Sequence, residues 1–423
     1  MLYIGCIADD FTGASDAASF LRRSGLKTLY LNGDRMSALS RDEDAEAVVV
    51  ALKCRSIPAA EAMAQAEEAA RWLLERGAQH LYYKYCSTFD STAKGNIGPV
   101  TETLMSLCGT DWTILCPALP VNGRTVRDGV LYVNGVPLAE SPMRHHPLNP
   151  MTESEIPKLM AMRSRYPCYC VDRKLLWGDP ERLEAQMDAW GRGGPFTAAV
   201  DYGEDADGAQ IAACFGALPL LTGGSGLLEH LGRRYLGGTG RKAGDGETPL
   251  SAGGRRLLLA GSCSEMTLRQ VRRFRDAGGV ALRVDPQMLL SGAQTVESLE
   301  RALDESRGDI LFYSSDTAEK VEANQRFGAE RVSALLEDCM GRLAVHAVED
   351  GCRRLVVAGG ETSGKVMLAL GYDAFQIRED VAPGVPRMVP LARPDLSLAL
   401  KSGNFGAEDF FLTALVPENA QNA

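Results

Sequence analysis

Val356-Val357-Ala358-Gly359-Gly360-Glu361-Thr362-Ser363-Gly364-Lys365-Val366 is an apolar, β-branched run that meets two glycines and then a helix-forming segment. Residues 354–358 read as a short buried strand, Gly359 and Gly360 as a sharp turn, and Gly364 onward as the opening of a helix. A strand, a glycine turn and a helix N-terminus make an anion site, because unpaired backbone N–H groups and the helix dipole face one point. The letters also match Gly-x-x-x-x-Gly-Lys, the body of a P-loop, but Val366 stands where a Ser or Thr hydroxyl would hold magnesium. The stretch is therefore expected to bind nucleotide phosphate by a lineage other than the P-loop. The competing reading is a turn that serves geometry alone.

The strand–turn–helix pattern extends outward in both directions. Short apolar runs read as strands at 3–8, 47–52, 81–85, 113–116, 198–201 and 218–222, and again at 256–260, 280–284, 310–313 and 396–400. Helical segments stand between them, among them 14–23, the alanine-rich 58–75 opened by Pro58, and 323–349. Val133-Asn134-Gly135-Val136 is a clear hairpin turn. A chain of 423 residues exceeds what one core supports. Between 237 and 254 the composition turns to Gly, Thr, Lys and Asp, which marks a flexible linker. The expected organisation is a domain over 1–236, a linker over 237–254 and a domain over 255–423. Each domain is expected to be a doubly wound α/β unit, with an interdomain cleft.

Bulk properties exclude several functions. A formal charge of −10 argues against a general nucleic-acid or membrane-surface role, which needs a basic face. The first apolar run is too short for a signal-peptide core, and no segment approaches bilayer length. The eleven cysteines include no Cys-x-x-Cys pair and read as reduced thiols packed as small apolar groups, so a cytoplasmic protein is expected. His145-His146 suggests a metal, but adjacent side chains on an extended segment diverge and no carboxylate or cysteine stands at ligand spacing. No metal site is read from these residues.

Polar residues gather where strands end. In the first half these are Asp9, Asp10, Arg55, Lys84, Asp90, Ser91, Lys94, Asn96 and Arg124. The carboxyl ends of strands line the ligand crevice of an open α/β sheet. Arg and Lys there can pair with a substrate carboxylate, while Asp and Asn hold hydroxyls. Any single one is equally well a helix cap or a solvated loop charge. As a set they favour a small polar anion. In the second half the strand ends carry Gly261-Ser262-Cys263-Ser264, the glycine stretch through Lys365, and Lys401-Ser402-Gly403-Asn404-Phe405-Gly406. Three loops rich in N–H groups and small hydroxyls suit a polyphosphate. The candidate nucleotide contacts are Ser262, Ser264, Gly359, Gly360, Glu361, Thr362, Ser363, Gly364, Gly403 and Asn404.

Ala8-Asp9-Asp10-Phe11-Thr12-Gly13-Ala14 and Asp90-Ser91-Thr92-Ala93-Lys94-Gly95-Asn96-Ile97-Gly98 resemble the two signatures of the four-carbon acid sugar kinase family. Gly359 to Gly364 and Lys401 to Gly406 look like that family's nucleotide loops, and the resemblance covers nearly the whole chain in order. The runs 84–92, 116–125 and 144–151 are most similar to its 3-oxo-tetronate kinase branch. The resemblance implies an N-terminal sugar-acid domain, a C-terminal ATP domain, and transfer of the γ-phosphoryl group to the terminal hydroxyl of a four-carbon acid. It makes Asp10 the first choice for the general base and Asp90 the second, with Mg2+ expected because ATP carries it. The partners implied are an acid sugar and ATP, with no nucleic acid and no membrane; a homodimer is the assembly considered. The alternatives are a sister kinase acting on threonate or erythronate, and a sugar-acid sensor without turnover.

Overall fold

Continuous apolar runs such as Val48-Val49-Val50 are buried on both faces, which is what a parallel sheet covered by helices demands. In the N-terminal part they form β1 (Ile4–Ala8), β2 (Thr28–Asn32), β3 (Ala47–Ala51), β4 (His80–Lys84) and β5 (Trp112–Cys116). A small antiparallel sheet follows, β6 (Arg124–Arg127), β7 (Val130–Val133) and β8 (Val136–Pro137), then β9 (Cys168–Val171), β10 (Phe196–Val200) and β11 (Leu220–Gly223). The computed structural model describes residues 1–39, 44–89, 95–145, 150–237, 254–306, 308–316, 320, 323–324 and 326–416. By its internal contacts the chain divides into two compact units, Met1–Asp245 and Gly246–Ala423. The expected linker falls almost wholly outside the described residues.

In the first unit the parallel strands run β2-β3-β1-β4-β11-β5-β10-β9. The chain leaves β1 for the outer β2, returns to β3 beside β1, and crosses to β4 on the other side. Strand order therefore reverses between β1 and β4, the kind of switch point at which open α/β sheets bind ligands. The three strands end level, because Ala8 is in register with both Ala51 and Lys84. The helix Ala59–Glu75 buries Ala62, Ala66, Ala69, Ala70 and Leu73, a stripe at helical period made of small side chains. The hairpin between β7 and β8 turns on Asn134 and Gly135, both at positive φ, as their letters predict.

The second unit contains β12 (Arg255–Ala260), β13 (Val280–Arg283), β14 (Ile310–Tyr313), β15 (Cys352–Ala358), β16 (Ala374–Ala382), β17 (Val385–Pro390) and β18 (Ser397–Lys401). Its order is β13-β14-β12-β15-β18-β17-β16, parallel as far as β18 and antiparallel beyond. The first four strands repeat the winding of the first unit: out to an edge, back beside the start, then across. The switch point lies between β12 and β15. No repeat is visible in the letters, so the correspondence is one of topology alone.

Among the strands that escape the sequence reading are β2, β6, β16 and β17. The pair β16 and β17 carries buried Arg378 and Arg387 and two prolines, which break an apolar pattern. Arg387 is tolerated inside because its guanidinium meets Glu379 at 2.7 Å and donates to the Ala414 carbonyl at 3.2 Å. The helix read from 323 is Ala329–Glu349, opening after Gly328 at φ 94°. Among the described residues no helix is long and apolar enough to cross a membrane.

Candidate active site

Asp9 and Asp10 follow β1 directly at the first switch point. The Asp9 carbonyl accepts from the N–H groups of Cys54 and Arg55, at 3.1 and 3.2 Å, which pins the loop after β3 beside it. Arg55 then forks over both carboxylates. Its Nε and Nη2 donate to Asp9 at 2.9 and 2.6 Å, and its Nη1 and Nη2 to Asp10 at 3.1 and 2.8 Å. Asp10 is also the N-cap of the helix Phe11–Arg23, accepting from Gly13 N–H at 2.8 Å and from Thr12 Oγ1 at 3.0 Å. That cap starts the helix three residues before the segment 14–23 expected from the letters. Burial opposes the charge on Asp10, but Arg55, Lys84, Thr12 and Gly13 together outweigh it and hold the carboxyl below its ordinary value.

Lys84 closes β4 and is buried, its Nζ donating to the Tyr85 carbonyl at 3.1 Å. Asn96 is buried, and its amide clamps the loop that carries Arg55. Asn96 Nδ2 donates to the carbonyls of Cys54, Arg55 and Ile57 at 2.7, 3.2 and 3.0 Å. Arg124 starts β6; its Nη1 donates to the Asn122 carbonyl, while its buried Nε has no hydrogen-bond partner. Burial pulls its guanidinium below the ordinary value, and no carboxylate among the described residues pairs with it. Asp90, Ser91 and Lys94 lie outside the described residues.

In the second unit the three glycine and serine loops come together. They leave the level ends of β12, β15 and β18, where Ala358 is in register with both Ala260 and Lys401. The Ala358 carbonyl accepts from Gly261 and Ser262 N–H at 2.9 and 3.2 Å, and Gly359 N–H donates to the Lys401 carbonyl at 2.8 Å. Gly359 sits at φ 121°, and a Cβ there would lie 2.9 Å from Ser262 N. A Cβ on Gly403 would lie 2.3 Å from Ser262 Oγ. Ser264 caps the helix Glu265–Asp276 through Thr267 N–H and donates to the Gly403 carbonyl at 2.6 Å. Ser363 Oγ is buried without a partner.

The glycine stretch differs from its first reading in one respect. The helix opens at Gly360 rather than Gly364, so Gly360 to Lys365 is helical and no phosphate-wrapping P-loop forms. The turn is made by one residue because Gly359 alone takes the left-handed backbone. Lys365 points elsewhere, its Nζ 3.2 Å from Asp338. What the stretch offers an anion is instead the N-terminal turn of the helix Gly360–Leu370. Two residues unclaimed by the sequence reading support this site. Thr267 stands at Ser-x-x-Thr spacing from Ser264, a capping signal. Lys401, a lysine ending an apolar strand, is fully buried under the Gly403 loop.

Comparison with known proteins agrees with this division of labour. A family model described as a sugar-binding N-terminal domain matches residues 4–231, and one described as a nucleotide-binding C-terminal domain matches residues 257–411. The 3-oxo-tetronate kinase of Pseudomonas fluorescens is 42% identical over 414 residues, covering 97% of this chain and 96% of its own length. That of Salmonella typhimurium is 42% identical, covering 98% and 99%. A crystal structure of a Haemophilus influenzae protein aligns with a TM-score of 0.77 at 38% identity, covering 97% and 98%. One from Salmonella typhimurium LT2 aligns at 0.86 and 42% identity, covering 98% and 99%. With both domain models met in order and relatives aligned from end to end, this chain belongs to the four-carbon acid sugar kinase family, alongside the 3-oxo-tetronate kinases.

Proposed function

We propose that this chain transfers the γ-phosphoryl group of ATP to the 4-hydroxyl of a 3-oxo-tetronate, giving the 4-phosphate and ADP. The observation that carries the reading is the pairing of two switch points. One bears carboxylates under an arginine fork, the other glycine and serine loops, and the matching relatives are named for this reaction.

In the first unit Arg124, with no carboxylate partner among the described residues, is proposed to take the substrate carboxylate, with Lys84 adding charge. Asp10 is proposed to accept a hydrogen bond from the 4-hydroxyl and orient it. Its lowered proton affinity makes it a weak base, which suits a transfer that depends on positioning and takes up the hydroxyl proton late. Asp9 and Arg55 hold Asp10 in place, and Asn96 holds Arg55. Asp90, Ser91 and Lys94 complete the substrate set by motif.

In the second unit Ser262, Ser264, Gly403, Asn404 and the segment 359–364 are proposed to hold the phosphates. The close approaches at Gly359 and Gly403 fit this, since a side chain at either would fill the junction of the loops. Among the described residues no group of three His, Cys, Asp or Glu side chains is placed to hold a metal, so Mg2+ is proposed to arrive on the nucleotide, ligated by phosphate oxygens and water. Magnesium there would neutralise phosphate charge. ATP dependence and eleven free cysteines point to the cytoplasm.

The test is ADP release with Mg-ATP against 3-oxo-tetronates, threonate and erythronate. Turnover confined to the 3-oxo acids is expected, lost in Asp10→Asn while ADP binding is unchanged. Turnover of threonate or erythronate alone would move the chain to a sister substrate, and acid binding without any turnover would leave a sensor.

A further inference from the structure

Lys401 is an ammonium-bearing side chain with no solvent exposure, at the end of β18. Its Nζ donates to Thr267 Oγ1 at 3.2 Å, to the Ser402 carbonyl at 3.0 Å and to the Gly403 carbonyl at 2.8 Å, and lies 5.8 Å from the centre of the Phe410 ring. None of these neighbours is an anion. Several charged side chains on the elements around it pair with one another: Glu265 with Arg269, Arg269 with Glu408, Lys365 with Asp338, and Arg387 with Glu379. Burial pulls its proton affinity from 10.5 down to about 7, and no neighbouring charge contributes. A buried cation without a counter-charge is costly, and such a group is held where a site needs it.

The hydrogen bonds show what it does to the loop. The Gly403 carbonyl receives three donors, Lys401 Nζ, Ser264 Oγ and Thr267 Oγ1. The Ser402 carbonyl also faces the ammonium. In a trans peptide the N–H points opposite to the carbonyl of the same plane, and no described peptide is cis. The N–H groups of Gly403 and Asn404 therefore point away from Lys401, and neither donates to an acceptor among the described residues. Farther along, Gln270 Nε2 holds the carbonyls of Phe405 and Ala407 inward at 3.1 and 2.8 Å, which extends the same arrangement.

We propose that Lys401 is a positioning residue of the nucleotide site: it turns the Ser402 and Gly403 carbonyls inward so that the N–H groups of Gly403 and Asn404 face a bound phosphate, and that phosphate is the counter-charge the ammonium lacks within the protein. The proposal rests on the nucleotide reading of this unit. It has a consequence that a purely structural lysine would not produce. Phosphate favours the charged ammonium, so nucleotide binding draws a proton onto Lys401 near neutral pH.

Titration calorimetry of ADP into the full chain tests this, in buffers of different ionisation enthalpy, with wild type beside Lys401→Met. Measurements belong at about pH 6, about pH 7 and about pH 8.5, at and either side of the value of about 7. Wild type is expected to take up about half a proton more than Lys401→Met near pH 7. Its ADP affinity is expected to fall about tenfold more than the variant's between about pH 6 and about pH 8.5. Equal affinity, equal pH dependence and equal proton count in the two proteins would overturn the proposal with the nucleotide site intact. No ADP binding by wild type at any of these pH values would instead overturn the nucleotide reading, and the proposal with it. Should Lys401→Met not fold, the wild-type proton count at about pH 8.5, where the ADP phosphate is already fully ionised, decides alone: net uptake supports the role and its absence ends it.

Discussion

Arg55 carries two carboxylates on one guanidinium, and that arrangement sets the chemistry of the first switch point. Asp9 and Asp10 are adjacent in sequence and side by side in space, so without Arg55 they would repel across a buried loop. Arg55→Ala is expected to cost ~3–5 kcal/mol by leaving two carboxylates unpaired. Arg55→Lys keeps the charge but cannot fork over both acids. It is expected to lower kcat/KM about 10²-fold through misplacement of Asp10, with thermal melting separating this from a folding defect. Asp10 has a folded value below its unfolded one, so its carboxylate contributes stability above the ordinary Asp range. That contribution is lost as pH falls through the depressed value, and Asp10→Asn should show a shallower acid-unfolding profile than wild type. Lys401 shifts stability in the opposite pH range. Its folded value of about 7 lies below the ordinary 10.5, so the unfolded chain binds more protons in between. Stability should rise with pH across that window, by at most about 1.4 kcal/mol per pH unit, and the rise should vanish in Lys401→Met.

The unit of function is the loop that follows a parallel strand, and each loop is held by side chains from its neighbours. Asn96 ties down three carbonyls of the loop after β3; Ser264, Thr267 and Lys401 tie down one carbonyl of the loop after β18. Asn96→Asp replaces the donating amide with a carboxylate facing carbonyls, and is expected to lower the melting temperature and loosen Arg55. Gly359 combines a positive φ with a backbone atom, Ser262 N, 2.9 Å from where a Cβ would sit. Gly359→Ala combines a backbone strain of ~1–3 kcal/mol with a Cβ forced against Ser262 N, so ADP binding should weaken severely. Isothermal titration of the variant with ADP, beside its melting curve, checks this.

Two units that open with the same strand order use it for different ligands. A ligand that binds only the folded form stabilises it by mass action, about 2.7 kcal/mol at a hundredfold excess over Kd. ADP is therefore expected to slow amide hydrogen exchange within residues 254–416, at the loops after β12, β15 and β18. The acid substrate should protect residues 1–237, at the loops after β1 and β3. Protection by both ligands in the same unit would contradict the assignment of ligands to units.

Strand period and glycine turns determined most of the architecture without help, because a parallel strand buried on both faces is a local pattern. The same holds for the polar loops after β1, β12 and β15, whose residues follow their strands directly. The letters did not determine β16 and β17, since buried Arg387 is stabilised by Glu379 and a distant carbonyl, not by its neighbours in sequence. Nor did they show that Arg55 grips both aspartates from 46 and 45 residues away, or that Asn96 serves the Arg55 loop through its amide. Whether Asp10 is a cap, a charged anchor or an orienter depends on the field of Arg55 and Lys84, which exists only once β1, β3 and β4 lie side by side. The role of Lys401 is the clearest case. In sequence it is one lysine before a Ser-Gly turn, and only burial beneath that turn makes it a charge in need of an anion.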